Sequence, residues 1–267
     1  MTGFGFEVRG YVWLNILTPG GGSLCRAAHD SWGTAVEQVV TQIDGAPLGA
    51  VSAVEAAPDG RIYFAVAAAA GAADGLENAL RTELLAHTGT GCVYVYDPAA
   101  RSVQKVLGGV AGAAGLALSP DGSTLYVSDL ANRCVWRVSA DAQDLTAGGK
   151  NCSSLVSGLP GYPGALAMDP DGTLYIGYRW ARSSWLEKNA GSTLLRGIAL
   201  RAGRNLQEKL FSLPADAPCT EAVDTADGSW QRVVSGRGAG SVTALCPVES
   251  RLYLGLAGSE KVRSANL

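Results

Sequence analysis

The sequence predicts an all-β chain built as a β-propeller. Three observations carry this: a turn motif that returns along the chain, the short apolar strands that flank each copy, and a composition rich in glycine and poor in charge. Ala57-Pro58-Asp59-Gly60-Arg61-Ile62-Tyr63-Phe64 recurs as Ser119-Pro120-Asp121-Gly122-Ser123-Thr124-Leu125-Tyr126-Val127 and as Asp169-Pro170-Asp171-Gly172-Thr173-Leu174-Tyr175-Ile176. A degenerate fourth copy is Cys246-Pro247-Val248-Glu249-Ser250-Arg251-Leu252-Tyr253-Leu254. Proline presets the turn's φ and glycine accepts a positive φ, so each copy joins two antiparallel strands.

Apolar strands precede the turns (51–56, 115–118, 165–168, 241–245) and tyrosine-containing strands follow them. Two further strands usually come next, as in 92–97 with 103–107, and 134–138 with 153–156. Four antiparallel strands per unit, with the turn at one fixed place, describe a propeller blade, whereas a sandwich would not repeat its turn in this way. Tyr63, Tyr126, Tyr175 and Tyr253 hold one position in the repeat and read as packing residues between blades. One segment departs from the pattern. Asp74 as N-cap with Glu77 three residues on, and Leu76, Leu80, Leu84 and Leu85 on one face, predict a helix over 75–87. It lies on the propeller as a packed decoration or as a lid over a central pocket.

With 47% hydrophobic and 17% charged residues the chain can bury a core as one domain spanning 1–267. The net charge of −3 lacks the basic excess that nucleic acid binding needs. No apolar run approaches the roughly 20 residues of a membrane span. The first seven residues lack the basic and apolar regions of a signal peptide. A secretory origin stays open for a longer chain, and the compartment and oligomeric state are not legible. Six scattered cysteines and two histidines, His29 and His87, do not make a zinc site. The cysteines read as free buried thiols, with a Cys134–Cys152 disulfide left open. No nucleophile elbow, phosphate loop or dinucleotide fingerprint is present, so no cofactor is expected.

Asp44-Gly45-Ala46-Pro47-Leu48 leading into the first turn motif, Thr90-Gly91 before Tyr96-Asp97-Pro98, Gly115-Leu116-Ala117-Leu118 into the second motif, and Leu159-Pro160-Gly161-Tyr162-Pro163 before the third together resemble the strictosidine synthase-like family. Its members are six-bladed propellers related to gluconolactonases and paraoxonase-type arylesterases. Aligned on that pattern, the chain lacks about one N-terminal blade. Gly10-Tyr11-Val12-Trp13-Leu14 is then a mid-blade strand of a partial blade over 4–43. Fuller blades follow over 49–108, 112–158 and 164–214, and a final blade over 239–267 lacks its outer strand.

The resemblance also implies what the axis should hold. Ester- and lactone-hydrolysing relatives bind calcium there through Asn and Asp side chains. Ser52-Ala53, Ala113-Ala114-Gly115 and Tyr162-Pro163-Gly164-Ala165 stand at those positions here, so no axial metal is expected. The alkaloid-forming members use a glutamate where this chain has Thr243, which cannot titrate near neutral pH. The residues ending the tyrosine-containing strands, Asn15, Val66, Asp129, Tyr178 and Leu256, should approach the axis. Asp129 is the one acid among them and the candidate for general acid/base catalysis or for binding an amine, with capping of a turn as its other reading. Asn15, Ser52, Tyr178, Arg179, Trp180, Thr243 and His87 are candidate ligand contacts. The expected function is a strictosidine synthase-like propeller with a central small-molecule pocket, acting without metal on a small hydrophobic or aromatic substrate in an amine–aldehyde condensation. A divergent ester or lactone hydrolase and a non-catalytic binding propeller are the alternatives.

Overall fold

The computed structural model describes residues 4–6, 10–31, 35–69, 72–203, 205–207, 218–235 and 241–267. Strands dominate them, and they form five propeller blades. A sixth blade is not among them.

Blade 1 contains β1 (Phe4–Phe6), β2 (Tyr11–Thr18), β3 (Gly21–Ala28) and β4 (Glu37–Val40) in that order. The expected partial blade is therefore four-stranded, because Phe4, Gly5 and Phe6 pair antiparallel with Leu14, Trp13 and Val12. A small hairpin of β5 (Gln42–Ile43) and β6 (Ala46–Pro47) follows, turning through Asp44 and Gly45 at positive φ. Blade 2 contains β7 (Val51–Ala56), β8 (Ile62–Val66), β9 (Gly91–Asp97) and β10 (Ser102–Val110), and helix α1 (Leu76–Ala86) is inserted after β8. In blade 3, β11 (Ala113–Leu118), β12 (Thr124–Asp129), β13 (Cys134–Ser139) and β15 (Ser153–Val156) pair in order, while β14 (Leu145–Thr146) crosses over to extend β10 of blade 2 in parallel.

Blade 4 is built from β16 (Gly161–Met168), β17 (Thr173–Ala181), β18 (Pro218–Asp224) and β19 (Trp230–Ser235). It extends well past the expected boundary at 214, because α2 (Ser184–Lys188) and α3 (Thr193–Arg201) intervene between its second and third strands. Residues 208–214 of the expected blade lie outside the described residues. Both helices were missed in the sequence, although each starts at a serine whose side chain caps it, Ser183 to Leu186 and Ser192 to Leu195. Blade 5 has three strands, β20 (Val242–Val248), β21 (Arg251–Leu256) and β22 (Arg263–Asn266), as the sequence indicates.

The Pro-Asp-Gly copies close the hairpins β7–β8, β11–β12 and β16–β17. Gly60, Gly122 and Gly172 adopt φ of 93°, 71° and 88° there, which a side chain would resist. Apolar clusters fill the clefts between consecutive blades. Trp13, Leu24, Ile62 and Phe64 pack between blades 1 and 2; Tyr63, Val93, Leu116 and Val127 between 2 and 3; Leu166, Leu174 and Ile176 with Tyr126 between 3 and 4; Tyr175, Val242, Leu252 and Leu254 between 4 and 5. Each fully buried side chain of this size contributes about 1.5–3 kcal/mol, so these clefts are the main stabilising element. All six cysteines are free thiols, so Cys134 and Cys152 are not joined. No helix among the described residues is long and apolar enough to cross a membrane.

Candidate functional site

The inner strands β7, β11, β16 and β20 each carry a register shift at the end where they enter the sheet, at Val51/Ala53, Ala113/Leu116, Pro163/Leu166 and Val242/Ala244. A bulge turns backbone carbonyls out of the ladder, and they need donors elsewhere. Side chains of the preceding blade supply three of them. Asn15 Nδ2 donates to the Val51 carbonyl (2.6 Å), Ser52 Oγ to that of Ala113 (2.6 Å) and Ser128 Oγ to that of Gly164 (2.8 Å). All three are buried. Asn15 and Ser52, singled out as ligand contacts, thus lock one blade to the next. The strands also approach very closely: a Cβ on Gly115 would lie 2.2 Å from the Gly164 carbonyl oxygen.

An axial calcium does not fit these residues. The cation takes about six to eight oxygens. Here alanine, proline and glycine hold most of the positions, and the Ser52 hydroxyl is engaged with Ala113. Among the described residues no group of three His, Cys, Asp or Glu side chains could hold a metal.

Above this end of the axis sits a helical cap. Helix α1 spans 76–86, close to the expected 75–87, but its N-cap is Gly75 (φ 88°) with no side-chain cap, and Asp74 closes the preceding 3-10 turn instead. Leu76, Leu80, Leu84 and Leu85 face an apolar cluster with Ala50, Ala67, Leu130, Tyr162, Trp180, Leu186 and Ala199. Apolar packing therefore occupies the place of the expected open central pocket. Two open grooves lie away from the axis, one on the turns of blade 2 lined by Asp59, Arg61, Asp97 and Pro98, the other between blades 1 and 2 lined by Arg26, Glu37, Tyr96 and Arg101.

Two groups of the cap's polar contacts involve the candidate residues. At the C-terminus of α1, His87 is the left-handed cap residue (φ 54°). Arg196 of α3 donates to the Leu84 and Leu85 carbonyls (2.8 and 2.9 Å) and to His87 Nδ1 (3.2 Å). Arginine only donates, so Nδ1 accepts and Nε2 carries the proton given to Asn132 Oδ1 (2.9 Å). Asn132 Nδ2 in turn donates to Asp129 Oδ2 (2.8 Å). Asp129 is fully buried and accepts three more bonds, from Trp136 Nε1 (2.9 Å) and from the backbone N–H of Asn132 (3.1 Å) and Ala111 (3.3 Å). This is the arrangement of a turn cap with its lone pairs occupied. Arg196 and Asn132 were missed in the sequence; an arginine in α3 gave no local pattern that would pair it with a histidine 109 residues away.

The second is an ion pair across the mouth. Arg179 Nη2 lies 2.7 Å from Glu77 Oε2, and Arg81 Nη2 lies 3.4 Å from Glu77 Oε1. Arg81 stacks over Trp180, its guanidinium carbon 5.6 Å from the ring centroid. Arg179 and Trp180 therefore meet at α1. Tyr178 points the other way, into the blade 3–4 cleft, where its hydroxyl donates to Glu221. Burial raises the pKa of both that phenol and the Glu221 carboxyl. Val66 and Leu256 likewise pack between blades, and Thr243 Oγ1 donates to the Gly255 carbonyl within blade 5 (3.2 Å). A further acid unremarked in the sequence is Glu55 on β7. It accepts a backbone hydrogen bond from Leu118 of the next blade, and burial pushes its pKa up to about 7.

Comparison with known proteins gives the same architecture. No curated protein matches the chain in sequence. In structure it is similar to a chain of the nidogen/laminin complex (TM-score 0.64, 15% identity, covering 100% of this chain and 75% of that one). It is also similar to a gluconolactonase from Xanthomonas campestris (0.60, 15%, 94% and 67%) and to a luciferin-regenerating enzyme (0.56, 17%, 97% and 74%). At these identities the likeness speaks for the fold alone. The model of the SMP-30/gluconolactonase/LRE-like region matches residues 16–194, a propeller family related to the strictosidine synthase-like one named from the sequence motifs. The propeller assignment stands and the finer family assignment shifts: the chain belongs to the SMP-30/gluconolactonase/LRE-like family.

Proposed function

We propose that this chain is a non-catalytic binding member of its family, one that performs no cleavage at an axial metal, the helix-capped end of the axis being filled by apolar packing. The observation that carries the reading is the use made of the axial oxygens. Ser52 and Asn15 are committed to inter-blade bonds, and the Gly115–Gly164 approach leaves no room for a ligating side chain at Gly115. Fold membership alone does not transmit an activity when the site has changed. The amine–aldehyde condensation expected from the strictosidine synthase-like motifs has no support in the family match, and Thr243 offers no titratable group for it.

The family match across 16–194 favours a second reading, hydrolysis of lactones or esters. The two are separated by assaying the protein with glucono-1,5-lactone and with phenyl acetate, in calcium and in EDTA. The binding reading expects rates equal to the buffer blank in both. Turnover that calcium restores and EDTA removes overturns it in favour of the hydrolase.

A further inference from the structure

Helix α3 packs on α1 with its faces reversed. A helix on a protein surface normally turns its apolar stripe inward and its charges to water. Here the inward face carries an arginine. Arg196 is buried, bound to the Leu84 and Leu85 carbonyls of α1, and its Nη1 donates to the Ala190 carbonyl (3.0 Å). Ala199 and Leu200 complete that face against the apolar cluster of the cap. The outward face is apolar: Leu194, Leu195 and Ile198 are 73%, 42% and 56% exposed, and Leu194 and Ile198 stand one turn apart. Leu206, also exposed, extends the patch, because Gln207 Nε2 donates to the Ala199, Leu200 and Ala202 carbonyls (3.1, 3.3 and 3.2 Å) and holds that turn at the C-terminal end of α3. Four of the ten exposed large apolar side chains among the described residues therefore fall within 194–206, a cluster where single scattered side chains are the rule.

The surroundings of the patch are basic. Lys188 ends α2 just before α3, Arg201 ends α3, and both are exposed. Glu187 is the one acid in the sequence from 184 to 207, and Arg133 (3.2 Å) and Arg182 (3.0 Å) already hold it. This local excess of positive charge runs against a chain whose net charge is −3. A helix of nine residues is about 14 Å long and about 10 Å across, far less than the area of about 800 Å² that each partner of a stable dimer contributes. It is also far short of the roughly 20 residues that span a bilayer.

From this arrangement we propose that α3 is a membrane-surface anchor, whose outward leucine and isoleucine side chains enter the headgroup region of an anionic bilayer while Lys188 and Arg201 meet the lipid phosphates. An apolar stripe rimmed by cations suits that boundary, where aliphatic side chains leave water and ammonium and guanidinium groups stay in it. Ser192, Arg196 and Gln207 hold the helix formed before contact, so docking costs little ordering. With so few side chains inserted, attachment should be weak and reversible.

Co-sedimentation with vesicles of two parts phosphatidylcholine to one part phosphatidylglycerol tests this, at lipid concentrations on the order of millimolar. The wild-type protein should pellet with these vesicles and bind pure phosphatidylcholine at least tenfold more weakly. Leu194→Ser combined with Ile198→Ser should lower binding to the anionic vesicles tenfold or more with little change in melting temperature, since both side chains are exposed. Leu206→Ser, outside α3, should give a smaller loss of the same sign and serves if the double variant does not fold. Lys188→Gln and Arg201→Gln should each weaken binding about fivefold. A wild-type protein that stays in the supernatant overturns the proposal, and so does binding that survives the loss of Leu194 and Ile198. Equal binding to neutral and anionic vesicles overturns the charge complementarity. A concentration-dependent dimer that the same double substitution dissolves would assign the face to a second copy instead. The assay involves no turnover, so its failure is distinct from calcium-dependent lactone hydrolysis, which would end the non-catalytic reading alone.

Discussion

Tyr63 and Tyr253 occupy the same place in the repeat and meet different fates. In blade 2, Tyr63 is fully buried and its hydroxyl donates to the Ala140 carbonyl of blade 3 (3.0 Å). Tyr126 and Tyr175 are similarly covered, each in the cleft with the following blade. In blade 5, Tyr253 is 37% exposed, and Cys246 and Val248 on the same face are exposed with it. The opposite face of that blade, with Leu252 and Leu254, is buried against blade 4. A repeated tyrosine thus packs only where a following blade covers it. The repeat specifies the strand position, and the neighbour specifies the energy.

The sharpest way to break this comparison is to truncate both tyrosines. Tyr63→Ala removes a buried ring and a satisfied hydroxyl and should cost about 3–5 kcal/mol in urea unfolding. Tyr253→Ala should cost less than about 1 kcal/mol. Equal losses would mean that the blade 5 face is covered in solution.

A smaller effect comes from the residues paired across from those tyrosines. Glu55 lies opposite Tyr63, where blades 3, 4 and 5 carry Ala117, Ala167 and Cys246. Only in the covered cleft of blade 2 does that position hold an acid, and its folded-state pKa of about 7 stands above the ordinary carboxylate value. A raised pKa in the folded state means that folding favours the protonated form. The associated stability is present in full below about pH 4.5 and is lost as pH rises through about 7. Unfolding free energy measured from pH 4.5 to 8 should therefore fall in wild type relative to Glu55→Gln by about 2–3 kcal/mol. Parallel profiles for the two proteins would remove Glu55 from the cleft.

The fold was legible because hairpin chemistry is local: Pro-Asp-Gly specifies a turn wherever it lies between apolar runs, and the i, i+4 leucines of α1 specify a helix. The first blade was undercounted because Phe4–Phe6 is too short to read as a strand without its partner Val12–Leu14. Helices α2 and α3 were overlooked because the expected blade ran through them, although Ser183 and Ser192 are ordinary N-cap signals. The site was much less legible. Its contacts join residues far apart in sequence, Glu77 with Arg179 and His87 with Arg196. No periodicity encodes such pairs. Even the orientation of Tyr178 and Arg179, neighbours in the chain, follows from the alternation of a strand whose two faces meet different blades.

Asp129 tests that limit at the smallest scale. It ends β12 opposite Ala113, and the matching position of blade 5 is Leu256 opposite Val242, so an acid is not required there by the fold. Its four donors include the Trp136 indole and the Asn132 backbone N–H, neither of which can turn into an acceptor for an amide nitrogen. Asp129→Asn keeps the shape but replaces one carboxylate oxygen with a donor that faces donors. The variant should lose about 1–2 kcal/mol in unfolding free energy, the cost of a buried polar group left without its partner. Because Asn132 also holds the His87 proton, the loss should spread to the cap, raising hydrogen exchange at the C-terminal turn of α1. Unchanged stability and unchanged exchange in Asp129→Asn would instead show that the carboxylate does not hold the turn and would return Asp129 to the role of a ligand contact.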